Sequence, residues 1–264
     1  MSTRNRTVTD TFTLLRRNLR HTIRYPSMTI GSVFGPVIML LLFVGVLGKT
    51  LGRGLATASG AHASDYIGYI APGIIITAVA SGSMATAVAV CVDMTEGIVD
   101  RFRTMPISRV AILAAHVINS VLTTVVSTGS VIAVAILLGF RPHASVGQWL
   151  AAGGLLLALS IALTWLAVAM GLVSATPEAA SNSPMLIVFL PFVGSAFAPA
   201  SSMPAGVRQF AEYQPFTPAI ESVRALLTGG PVGHHATLAL GWCLVLGATG
   251  YAWAVAAFAK PRAH

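Results

Sequence analysis

From Tyr66 to Val92 the chain carries no Asp, Glu, Lys or Arg, and the same is true from Val110 to Phe140. A helix needs about 20 apolar residues to cross a hydrocarbon core of roughly 30 Å, and both runs supply them. Only 9% of the residues are charged, whereas a soluble domain carries roughly a quarter. With a mean hydropathy of +0.78, there is too little charge to wet a surface of this size. The solvent is lipid, and the chain is an integral membrane protein. Its formal charge of +8 comes without a basic domain interleaved with aromatics, so no nucleic-acid partner is expected. Basic residues beside apolar spans read as topology signals instead.

Hydropathy divides the chain into six spans within one transmembrane domain, 1–264. They run from about Met28 to Leu47, Ile67 to Val92, Val110 to Phe140, Trp149 to Val173, Pro184 to Pro199 and Thr237 to Ala259. The fifth is short and interrupted by Pro191. The first run begins too far in for a cleavable signal peptide and reads as a signal anchor. It contains Gly31 and Gly35, a GxxxG spacing that would let another helix approach closely. Six spans put both termini on one side. Taking that side as cytoplasmic places 11 of the 16 Lys and Arg residues inside, the orientation that the positive-inside rule favours. On this topology Cys91 and Cys243 lie near opposite faces, so neither a disulfide nor a metal site is expected.

Three segments lie outside the spans. In residues 1–26, Val8, Phe12, Leu15, Leu19 and Ile23 share a helical face, with Arg16, Arg17, Arg20 and Arg24 on an adjoining arc. That is either an interface helix or a topogenic basic tail. Residues 200–236 are too long for a turn and too apolar for a solvated loop. Thr217 is expected to cap a short helix with Pro218 at its first position. Ile220, Val223, Leu226 and Leu227 then share a face, Glu221 pairs with Arg224, and Gly229-Gly230-Pro231 ends the helix. A second short helix is expected over Val207 to Tyr213. These helices either re-enter the membrane from outside or lie flat on its outer surface.

The third segment, Cys91 to Arg109, is a charged island between apolar spans. Asp93 is placed to cap a helix, with Glu96 three residues on. Met94, Ile98, Phe102 and Met105 form one face, Asp100 pairs with Arg103, and Pro106 stops the helix. An aromatic and methionines flanked by arginines have the composition of an interface core and rim. By spacing alone, a plain positive loop fits as well.

Glu96-Gly97-Ile98-Val99-Asp100-Arg101-Phe102-Arg103-Thr104-Met105-Pro106-Ile107-Ser108-Arg109 resembles the E-G-x-x-[DE]-R-x-[RK]-[ST]-x-P-[IV]-[SP]-R signature of ABC-2 type transporter permeases, in particular the daunorubicin/doxorubicin-resistance branch. The stretch from Tyr213 to Leu227 is similar to the family's N-P-x-T-P segment and the R-x-L that follows it, with Gln214 where Asn is usual. The resemblance implies an all-α fold of six transmembrane helices with an N-terminal interface helix, a cytoplasmic coupling helix and extracellular re-entrant helices. It also implies a permease homodimer paired with two copies of a separate subunit that binds ATP and Mg, leaving no cofactor in this chain. Within a coupling loop over 93–109, Glu96, Gly97, Arg101, Phe102, Arg103, Met105 and Pro106 would couple to that subunit. Pro215, Pro218, Glu221 and Arg224 would shape an extracellular gate. The implied location is the bacterial cytoplasmic membrane, multi-pass, with both termini inside.

The residues themselves point the same way on energy. No Asp, Glu, Lys or Arg falls well inside a predicted span, whereas ion-driven transporters keep such groups for coupling. Gly48-Lys49-Thr50 mimics the end of a P-loop, but Phe43 stands where the motif requires glycine. Energy must then come from a partner. The alternatives are an ion-driven transporter or channel, and an exporter of a lipid-linked glycan in place of an amphiphilic drug-like compound. An intramembrane enzyme would need HExxH, GxSxG or paired carboxylates, and the sequence has none. His116 reads as a hydrogen-bonded residue near the interface. Ser120, Thr124 and Ser127 either line a pathway or hold helices together.

Overall fold

The computed structural model describes residues 26–48, 66–95 and 109–259. The expected interface helix and the coupling residues Glu96, Gly97, Arg101, Phe102, Arg103, Met105 and Pro106 lie outside that set. All regular structure among the described residues is helical. In chain order the helices are α1 (Pro26–Leu41), α2 (Tyr66–Thr95), α3 (Arg109–Leu137), α4 (Val146–Val173), α5 (Pro177–Asn182), α6 (Met185–Val193), α7 (Ala205–Tyr213), α8 (Phe216–Thr228) and α9 (His235–Ala259).

Among the described residues, four helices are long and apolar enough to cross a membrane: Tyr66–Thr95, Leu113–Leu137 within α3, Val146–Val173 and His235–Ala259. α1 passes directly into a π-helical segment, Leu42–Val46, so helical backbone runs unbroken from Pro26 to Val46. The fifth expected span has a different form. α6 is a nine-residue helix, which rises only about 14 Å. Pro191 lies inside it, and Gly194 follows in an extended conformation, so the backbone cannot continue as helix to Pro199.

α2 is the axis of the bundle. It is apolar on every side, the pattern of a helix surrounded by protein. Ile70, Ile74, Ile75 and Ile76 are fully buried on it, and α1, α3, α4, α5, α6 and α8 all pack against it. α9 lies against α4 and leaves Leu240, Leu244 and Val245 exposed, as a face turned to lipid would. The helices approach closely through small residues. A Cβ on Gly250 would lie 2.6 Å from the Leu166 amide nitrogen of α4, and one on Gly73 would lie 2.6 Å from the Ala196 carbonyl oxygen. Gly31 and Gly35 are exposed and would meet nothing within 4 Å. Among the described residues no helix closes on this GxxxG pair, and other glycines make the close contacts.

Local signals set the helix ends. Ser145 and Gln148 form a reciprocal capping box at the start of α4, at 3.3 and 2.7 Å. Thr176 accepts from the Ala179 amide, with Pro177 at the first position of α5. The exposed Glu178 carboxyl is held below its ordinary value by its own backbone amide and the Thr176 hydroxyl. Asp93 is not a cap. α2 continues through Thr95, which puts Asp93 in its last turn.

Candidate functional site

α8 is an amphipathic 13-residue helix set among α2, α4 and α9. Ile220, Val223 and Leu227 are almost completely buried, with Leu226 at the edge of the same face, as the periodicity requires. The helix ends at Gly229, whose φ of +78° is the left-handed conformation glycine adopts without strain. α7 covers the predicted Val207 to Tyr213 stretch. The Trp242 indole of α9 donates to the carbonyl of Tyr213, its last residue, at 3.0 Å.

The start of α8 differs from expectation. Thr217 lies inside the first turn, and Pro215 occupies the cap position with no side-chain cap bond. The Gln214 side chain fills the role: its carbonyl oxygen accepts from the Phe216 amide at 3.3 Å. Its amide donates to Thr217 Oγ1 at 3.1 Å and to the Leu190 carbonyl of α6 at 3.4 Å. Thr217 Oγ1 also accepts from the Ser195 amide at 3.2 Å. Thus the residue that departs from the motif does the capping. It does so beside Gly194, where a Cβ would collide with the Gln214 amide and Thr217.

Arg224 locks α8 to the bundle. One nitrogen pairs with Glu221 on the same helix. Nε and Nη2 donate to the Tyr69 carbonyl at 3.2 and 3.1 Å, and Nη2 donates to the Ser195 carbonyl at 2.8 Å. The guanidinium carbon also stands 3.9 Å from the centre of the Tyr69 ring, a cation–π contact. The Tyr69 hydroxyl closes the circuit on the Ser195 carbonyl at 3.1 Å. A planar fork with several donors suits this task, which a lysine could not perform. Pro215, Pro218, Glu221 and Arg224 therefore come together on one element braced against α2 and the α6–α7 connection. Tyr69, Gly194 and Ser195 complete the clamp and were not legible in the sequence, because two carbonyls and a missing side chain leave no pattern.

At the far end of α2, Asp93 Oδ2 lies 3.2 Å from His116 Nε2 of α3, and both side chains are largely buried. His116 is thus not alone. The contact ties the last turn of α2 to the early turns of α3.

The pathway candidates separate. Ser120 Oγ accepts from Thr86 Oγ1 at 2.7 Å and lies 3.2 Å from Thr164 Oγ1. This chain of hydroxyls ties α2, α3 and α4, the adhesive use of small polar residues in membranes. Ser127 is buried. Thr124 rests its hydroxyl against Gly82 of α2 and makes no hydrogen bond.

The described residues thus form a helical bundle with four helices long and apolar enough to cross a membrane and a clamped amphipathic helix packed at one end of α2. The chain belongs to the ABC-2 type transporter family, whose model matches residues 9–228. It is 28% identical over 226 residues to a daunorubicin resistance ABC transporter permease protein of Streptomyces coeruleorubidus, covering 84% of this chain and 76% of that protein. It is 25% identical over 201 residues to a probable doxorubicin resistance ABC transporter permease protein of Mycobacterium tuberculosis, covering 76% of this chain and 72% of the relative.

Proposed function

We propose that this chain is the permease subunit of a bacterial ABC exporter, moving amphiphilic, drug-like compounds outward across the cytoplasmic membrane. Two copies form the body, and two copies of a separate ATP-binding subunit supply the force. Residues 96–108 form the coupling segment that sits on that subunit, with Arg101 and Phe102 at its core. α6, α7 and α8 form a re-entrant extracellular gate closed by the Arg224 clamp. α6 and the chain after it would then enter and leave from the outer side, consistent with a helix too short to cross.

The observation that carries this reading is the Asp93–His116 contact at 3.2 Å. It fixes the roots of the charged segment together, so a push on that segment reaches α2, the helix against which nearly everything else packs. The same pair is what would favour proton coupling. Its position in the last turn of α2, away from mid-span, suits bracing better. Arg101→Glu and Phe102→Ala are expected to abolish export while ATP hydrolysis by the assembled complex persists. Normal export by both variants would refute the docking role.

A further inference from the structure

α3 and α4 pack on α2 and on each other, yet leave between them a groove of about 230 Å³. On α4 it is bordered by Trp149, Gly153, Leu156 and Ser160, at steps of four, three and four residues along one face. On α3 it runs from Thr124 through Gly129 to Ile132. At 1.5 Å per residue these stretches extend about 16 and 12 Å, so the groove lies along the helix axes. About 230 Å³ spread over that length leaves a mean cross-section of under about 20 Å². The groove is one carbon chain wide.

Its wall presents carbon and little else. Thr124, Thr128 and Ser160 border it, but their hydroxyl oxygens are covered by protein. No charged or titratable side chain lines it. The mouth lies at Val125 and Leu157, 56% and 43% exposed, and beside it Val126 and Leu150 are exposed on the apolar outside of the bundle. Gly129 and Gly153 leave it open: both are exposed, and a Cβ on either meets nothing within 4 Å. One end lies at the α3–α4 turn. Trp149 stands one turn into α4, and Leu227 of α8, which also borders the groove, accepts from the His143 amide of that turn at 3.0 Å. The same turn carries an exposed cation, Arg141.

These features choose among occupants. A buried water needs about two to four polar partners, which this wall does not present. A helix of a second copy is about 10 Å across and cannot enter. At roughly 30 Å³ for each water-sized group, the space takes about seven or eight methylenes in single file. We infer that the groove holds one acyl chain of a phospholipid whose phosphate sits at Arg141. The lipid at the mouth supplies both parts: a flexible apolar chain of the right width, and an anion at the level of the turn. Trp149 stands where chain meets headgroup, the depth at which indoles collect in membranes. The chain fills space that side chains leave empty, and so acts as part of the packing between α3 and α4. Which leaflet supplies it rests on the topology in the exporter reading; the binding does not.

The test uses the full-length permease in dodecyl maltoside, without ATP or partner, so it succeeds or fails independently of transport. The probe is phosphatidylglycerol with a diazirine midway along one acyl chain, and insertion sites are mapped by mass spectrometry. Insertion at Ile132 and Leu156 is expected to saturate and to be competed by unlabelled phosphatidylglycerol. Leu150, 72% exposed and outside the groove, should label without saturating. Gly153→Leu puts a side chain in the groove and should cut insertion at Ile132 and Leu156 at least about tenfold. Gly154→Leu is the control for helix and fold. Its neighbouring position is also exposed with nothing within 4 Å, but it does not line the groove, and insertion should be unchanged. Arg141→Gln should weaken half-saturation about fivefold. Saturating phosphatidylglycerol should raise the melting temperature of the wild type by about 5 °C and leave that of Gly153→Leu unmoved. Unsaturable insertion at Ile132 and Leu156, like that at Leu150, overturns the inference. So do equal insertion in wild type and Gly153→Leu, equal losses in Gly153→Leu and Gly154→Leu, or labelling confined to Leu150.

Discussion

Replacing Arg224 by alanine should be the most damaging single change in the gate region. The substitution removes three hydrogen bonds to main-chain carbonyls, two on Tyr69 and one on Ser195. It also removes the ion pair with Glu221 and the contact over the Tyr69 ring. Hydrogen bonds from a charged group are worth about 1.5–3 kcal/mol each, but they are not additive. Removing one member of a buried charge pair costs about 3–5 kcal/mol. The Glu221 side chain is 29% exposed and can recover water, and Ser195 retains the Tyr69 hydroxyl. Both facts pull the cost to the low end, about 3 kcal/mol. Arg224→Lys keeps the charge but reaches one carbonyl at a time, so roughly half the loss should remain. Glu221→Gln should cost under about 1 kcal/mol. The assay is thermal unfolding of the purified permease in a fixed detergent, with an unfolding free energy from denaturant titration. A wild-type value for Arg224→Ala, or an equal loss for Glu221→Gln, would refute the clamp.

Two further outcomes follow from the packing. Gly250→Val should lower the melting temperature by pushing α9 away from α4, at a cost of about 1–3 kcal/mol, because the Cβ meets the Leu166 backbone at 2.6 Å. Gly241→Val, on the same helix with nothing within 4 Å, should be neutral in the same measurement. Ser120→Ala should cost about 1 kcal/mol by opening the hydroxyl chain between Thr86 and Thr164. Ser130→Ala, which loses only a bond within its own helix, should fall within error of wild type.

The long apolar runs revealed α2, α3, α4 and α9 because the bilayer tolerates nothing else at that length. The periodicity from Ile220 to Leu227 and the stop at Gly229 revealed α8, down to the Glu221–Arg224 pair, although its start at Phe216, capped by the Gln214 side chain, was not the expected Thr217 cap. What escaped was decided by backbone atoms and by absences. The partners of Arg224 are carbonyls of Tyr69 and Ser195, and carbonyls carry no residue identity. Likewise GxxxG marked Gly31 and Gly35, yet the close helix–helix contacts fall at Gly171, against Ala87 of α2, and at Gly250, because shape complementarity between two particular helices has no single-helix signature. The fifth apolar run was counted as a crossing although short and interrupted by Pro191, and with Gly194 extended the helix stops at nine residues. Asp93 satisfied the pattern of a helix start, and the preceding helix ran through it, since nothing between Val92 and Thr95 breaks a helix.

The central claim is that this helical body has no motor of its own and is driven through the charged stretch between α2 and α3. Reconstitution of the permease in sealed liposomes, with and without its ATP-binding partner, tests it most directly. The account predicts uphill movement of an amphiphilic fluorescent substrate only when partner and ATP are both present, unaffected by collapsing the proton gradient. Uphill movement by the permease alone, or movement that survives without ATP and stops when the gradient is collapsed, would contradict it.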